Sequence, residues 1–134
     1  MADLAYDVNL VRPLPGATFV DRDLGAALGI GAAVYVATDG DVEGADASAV
    51  GTALTFLGII VAIGTMGETE GVAGQKVTIC TGGRITGFSG LTQGDVIYLS
   101  DTVELLADAA GTVSKVAGMV LEADEIFLRI EAGV

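Results

Sequence analysis

The polar and apolar positions of this chain change rhythm several times, and each change marks an element. Gln75-Lys76-Val77-Thr78-Ile79-Cys80-Thr81 alternates with a period of two, the pattern of a half-covered strand. Gly82-Gly83 and then Arg84-Ile85-Thr86-Gly87-Phe88 follow, which predicts a hairpin closed by a glycine turn. Leu54 to Ile63 is the most apolar run and reads as a buried strand, with Ala45-Asp46-Ala47-Ser48 as a polar loop before it. Ala33 to Thr38 predicts another strand, turned at Asp39-Gly40-Asp41, where Asp-Gly favours a type I′ loop, and Val42-Glu43 begins the return.

Ala17-Thr18-Phe19-Val20 predicts a strand, Asp21-Arg22-Asp23 a polar turn, and Leu24 to Leu28 a linker or single helical turn. Gly64 to Gly74 forms an acidic excursion in which Gly67-Glu68-Thr69-Glu70-Gly71 should meet solvent. Strands are expected around Tyr98, over Val116 to Leu121 and over Ile126 to Ile130, with Val103 to Ala110 either helical or extended and a turn at Ala110-Gly111. About eight to ten short strands at intervals of roughly ten residues indicate a mostly β chain, a small antiparallel barrel or sandwich.

Part of this pattern occurs twice. Gly31-Ala32-Ala33-Val34-Tyr35-Val36-Ala37 matches Gly94-Asp95-Val96-Ile97-Tyr98-Leu99-Ser100, and Leu28, Gly31 and Tyr35 each stand 63 positions before Leu91, Gly94 and Tyr98. Phe56-Leu57-Gly58-Ile59-Ile60-Val61 matches Val116-Ala117-Gly118-Met119-Val120-Leu121 at an offset of 60. An internal duplication, with pseudo-repeats at about 28–63 and 91–130, accounts for both offsets through a change in loop length. Chance recurrence of short Gly, Val and Ala patterns is the other reading.

The first twenty residues differ in texture, since Val8, Leu10 and Val11 lead into Arg12-Pro13-Leu14-Pro15-Gly16, where two prolines favour extended backbone. The division expected is an extended arm over 1–20 and a single β domain over 21–134. The arm is an edge strand of its own sheet, a loose terminus, or a strap onto a neighbouring subunit. On the strap reading its contact residues are Tyr6, Val8, Leu10, Val11, Arg12 and Leu14.

Composition narrows the function classes. A chain of 134 residues, 51% hydrophobic, suits one domain that buries about two-thirds of its unfolded surface. Six basic against 18 acidic residues give a formal charge of −12, which opposes nucleic acid and anionic membrane surfaces as partners. The uncharged stretch Ala47 to Met66 has the length of a membrane span, but its glycines, threonines and acidic flanks Asp46 and Glu68 favour a buried strand. The N-terminus lacks the basic region and apolar run of a secretory signal, so folding in the cytoplasm is expected.

Reactive constellations are scarce. The chain has no histidine, which removes histidine triads and histidine metal sites, and its one cysteine, Cys80, reads as a small apolar strand residue. Asp39, Asp41, Glu43 and Gly44 match half of a calcium loop, but Val50 stands where the bidentate glutamate belongs, so an acidic turn is the better reading. Asp124-Glu125 and Glu104 with Asp108 read as solvated acids, and Tyr35 and Tyr98 as half-buried packing residues. No catalytic residue, cofactor or metal is expected, and a small hydrolase is the weakest of the readings.

Leu91-x-x-Gly94-x-x-Ile97-Tyr98-Leu99-Ser100, then Val116-Ala117-Gly118-Met119-Val120, then Ile126-Phe127-Leu128, resembles the small decoration (cement) proteins of tailed-bacteriophage capsids. The first copy, Gly31 to Val61, fits the same pattern more weakly, and the likeness covers most of the chain after about Gly25. The resemblance implies a non-enzymatic virion protein on the outer capsid surface. Its expected partners are the major capsid protein and copies of itself, as a homo-trimer or dimer. A carbohydrate- or host-binding β domain of a tail fibre or spike is the alternative function.

Overall fold

The computed structural model describes residues 3–64 and 68–131. It is mostly β, with 48% of residues in strands and 4% in helix, arranged as a curled antiparallel half-barrel. The elements are β1 (Ala5–Tyr6), β2 (Arg12–Pro13), β3 (Thr18–Asp23), β4 (Ala33–Val36), β5 (Val42–Gly44), α1 (Val50–Leu54) and β6 (Phe56–Ile63). They continue with β7 (Lys76–Thr86), β8 (Phe88–Ser89), β9 (Val96–Leu99), β10 (Leu106–Ala107), β11 (Val116–Glu122) and β12 (Glu125–Arg129). The main sheet runs β10-β9-β11-β12-β7-β6-β4-β5, with β2 and β3 also paired to β7.

The central strand corrects the hairpin expected at Gly82-Gly83. Lys76 to Thr86 is one continuous strand that changes neighbours at the glycines: residues 77–80 pair with β6 and residues 82–86 with β12. Gly83 has φ +102, and a side chain there would press on the Ala17 backbone at 2.7 Å. The glycine pair therefore bends a strand without ending it.

Around this strand the two halves repeat one another in register. Val34 pairs with Gly58 and Ile97 with Gly118, while Tyr35 pairs with Phe56 and Tyr98 with Val116, leaving Leu57 and Ala117 as the extra residue of matching bulges. A second bulge falls at Val61 in β6 and at Leu121 in β11. The Gly31 N–H donates to the Ile60 carbonyl at 2.8 Å, and the Gly94 N–H donates to the Val120 carbonyl at 2.9 Å. A Cβ on Gly58 would lie 2.0 Å from the Cys80 carbonyl oxygen, and one on Gly118 would lie 2.0 Å from that of Phe127. Both bulged strands thus approach their next neighbour too closely for any side chain.

The halves meet again opposite β7. Ala33 N–H donates to the Glu104 carbonyl, Glu104 N–H to that of Ala45, and Ala47 N–H to that of Ser100. Between these seams lies one core, built from Val34, Ile60 and Ile79 of the first half and Ile97, Val120 and Ile126 of the second. Burial of these branched side chains, worth about 1.5–3 kcal/mol each, is the main force holding the two halves together.

Several local expectations change. Asp21-Arg22-Asp23 completes strand β3, with Asp21 accepting from Thr78 at 3.0 Å and Asp23 facing Lys76 at 3.6 Å. Val50–Leu54 is a short helix where a loop and the start of a strand were expected. Of Thr38, Asp39 and Gly40 only Gly40 has a positive φ, so the turn is a type I turn completed by a left-handed glycine, and the type I′ expectation is replaced. In the acidic excursion Glu68 and Glu70 are exposed, but Gly71 is buried against Leu24, and Gly67 lies outside the described residues.

Candidate functional site

The N-terminal segment is built into the domain along its length, which answers where the expected arm goes. Leu4 N–H donates to the Leu106 carbonyl, β1 pairs with β8, Asp7 N–H donates to the Gly87 carbonyl, β2 pairs with Thr86 and Ile85, and Leu14 N–H donates to the Arg84 carbonyl. Glycine makes room for it: a Cβ on Gly31 would strike the Tyr6 ring at 2.3 Å, and one on Gly87 would strike the Val11 backbone at 2.5 Å. Tyr6 stacks edge-on against Phe88 with ring centres 5.9 Å apart. The N-terminal segment thus lies hydrogen-bonded against β7, β8 and β10.

The six residues named for an arm contact separate into two sets. Val11 is buried, Tyr6 and Leu14 are half-buried, and these three serve the domain's own packing. Val8 and Leu10 are 39% and 57% exposed, and Arg12 is exposed beside them. Asp7 holds the intervening loop, its carbonyl accepting from the Leu10 and Val11 N–H groups and its carboxylate from the Asn9 N–H at 2.9 Å. Two apolar side chains are thus presented on a loop fixed at both ends, flanked by shallow clefts lined by Val61 and Ile63 on one side and by Thr86 and Phe88 on the other.

A larger apolar surface lies on the outer face of β9, β11 and β12, and sequence reasoning missed it. Val96, Met119, Phe127 and Arg84 form one cross-strand row, because Val96 pairs with Met119, Met119 with Phe127 and Phe127 with Arg84. The corresponding row of the first half is Ala33, Ile59, Cys80 and Phe19. Ala33, Ile59 and Cys80 are fully buried, whereas Val96 and Met119 are 44% and 40% exposed. Open grooves run along the exposed row, lined also by Tyr98, Val116 and Leu121, with Arg129 and Arg84 at the margin. The signal in the sequence was the alternation of β11, which puts Met119 and Leu121 at positions a solvent-facing strand gives to polar residues.

The acids and the thiol occupy structural environments. The Asp39 carboxylate accepts from the Asp41 N–H at 3.0 Å, and among the described residues no cluster of acidic or cysteine side chains could hold a metal. Cys80 is buried, which pushes its thiol above the ordinary value. Glu104 has φ +72 and its carboxyl is raised by burial; Tyr6 is raised by burial and by the nearby Glu104 charge. Lys115 is buried and donates to the Glu131 carbonyl, and burial lowers its pKa. Glu104 and Asp108 belong to different environments, since the Glu104 side chain lies against Gly44 and Asp108 borders the cleft beside Leu4 and Leu91.

No protein-family model matches this chain, and no curated protein is significantly similar to it.

Proposed function

We propose that this chain is a structural virion protein that binds the outer surface of a tailed-bacteriophage capsid and holds neighbouring major capsid subunits together. The observation that carries the reading is the preformed Val8–Leu10 loop, an apolar contact held rigidly on an acidic body. Ordering such a loop before binding removes an entropy cost that a free strap would incur at the capsid. The charge of −12 suits the exterior of the shell, away from packaged nucleic acid. The likeness of the Gly31 and Gly94 segments to decoration proteins supports the same role, without catalysis or cofactor.

As a homo-trimer or dimer the protein presents several loops at once, and weak contacts combine through high effective concentration. Sedimentation with expanded, undecorated heads tests the proposal. Wild-type protein should co-sediment to saturation, and the V8D/L10D variant should lose at least about tenfold in affinity while its melting curve stays unchanged. Wild-type protein that remains in the supernatant at every concentration would overturn the reading.

A further inference from the structure

Both ends of the main sheet are closed within the molecule. The Leu4 N–H donates to the Leu106 carbonyl at the β10 end, and the Gly25 N–H donates to the Val42 carbonyl at the β5 end, at 2.8 and 2.9 Å. β3 is the exception. Among the described residues it pairs with β7 alone, and every residue from Thr18 to Asp23 is exposed. Phe19 and Val20, on opposite faces of the strand, are 47% and 37% exposed. An open edge of this kind is a template for another strand.

The direction of the free backbone groups follows from the residues that come next. The Leu24 N–H donates to the Gln75 carbonyl, toward β7, and the Gly25 N–H donates away from β7, to Val42. Alternation along the strand then turns the N–H and C=O groups of Val20 and Arg22 toward β7 and those of Phe19 and Asp21 outward, where no backbone partner meets them among the described residues. We infer that this edge pairs with the same edge of a second copy of this chain, antiparallel about a two-fold axis, with Val20 opposite Val20 of the partner subunit. Backbone geometry limits the register, because outward groups must meet outward groups and one residue of β3 must lie on the axis. Asp21 or Arg22 on the axis would set like charges directly opposite. Phe19 on the axis would call on the Ala17 N–H, which already donates to the Leu14 carbonyl. Val20 on the axis joins Phe19 to Asp21 of the partner subunit in both directions and packs two β-branched side chains together. The inference does not rest on the capsid reading, since it is tested in solution without heads.

The experiment is light scattering coupled to size-exclusion chromatography, with variants of β3. Wild-type protein should have twice the chain mass of 13.4 kDa. D21P removes an outward N–H and leaves the bonds to β7 in place, so it should be monomeric with wild-type circular dichroism. V20D brings two carboxylates together on the axis and should weaken the dimer at least about tenfold. Single cysteines read the register. V20C should form a disulfide between subunits faster than F19C or D21C, because a non-hydrogen-bonded antiparallel pair holds its Cα atoms about 4.5 Å apart. Cys80 is buried and does not compete. A monomeric wild type, an undiminished dimer in D21P or V20D, or crosslinking of V20C no faster than that of F19C and D21C would overturn the inference.

Discussion

Glu104 shows how one residue holds two parts of this chain together against local preference. Its left-handed backbone, φ +72, is costly for a residue with a side chain, yet its N–H and carbonyl bridge Ala45 and Ala33 across the seam between the halves. Gly40, the left-handed residue of the β4–β5 turn, occupies the corresponding place in the first half. E104G should therefore raise stability by about 0.5–1 kcal/mol, the relief of strain exceeding the greater freedom of the unfolded chain, as read from denaturant midpoints. The Glu104 carboxyl is raised above the ordinary value in the folded state, so its contribution is full below the unfolded value and is lost as pH rises through the folded one. Wild type should lose more stability than E104Q between pH 4 and pH 7, measured by paired thermal melts; identical profiles would remove Glu104 as the cause. Neither the strain nor the partly buried carboxyl was legible in the sequence, where Glu104 read as a solvated acid, because its bonding partners lie about sixty and seventy residues away in the chain.

At the scale of elements, strands were more legible than turns. The alternation over 75–81 and the apolar run ending at Ile63 placed β7 and β6 closely, since a period of two reports which face is covered. Gly82-Gly83 misled because glycine marks a bend and a turn in the same way, and only the change of partner from β6 to β12 distinguishes them. The N-terminal segment was legible as extended, but its partners were not. Those partners yield a prediction: G87A should destabilise the protein by at least about 2 kcal/mol, because the added Cβ meets the Val11 backbone at 2.5 Å and neither backbone yields easily. Hydrogen exchange should then show faster exchange at the Asp7 and Leu14 amides than in β5, which pairs with β4 and borders neither cleft beside the arm's loop. Uniform acceleration across both would mean that the arm and body unfold as one unit.

For the whole molecule the governing quantities are the charge of −12 and its uneven placement. Raising sodium chloride from low salt to about 0.5 M should increase the melting temperature, read from thermal melts, by screening repulsion among the acids. The sequence by itself determined the strand content, the repeated glycine spacing, the acidic balance and the absence of histidine, because these depend on local pattern and on composition. Only the tertiary structure decided that β7 serves both halves, that the N-terminal segment closes its own domain, and that equivalent rows are covered in one half and open in the other. Those outcomes depend on which distant strands pair and which faces are left without a neighbour, and local residue preference carries no record of either.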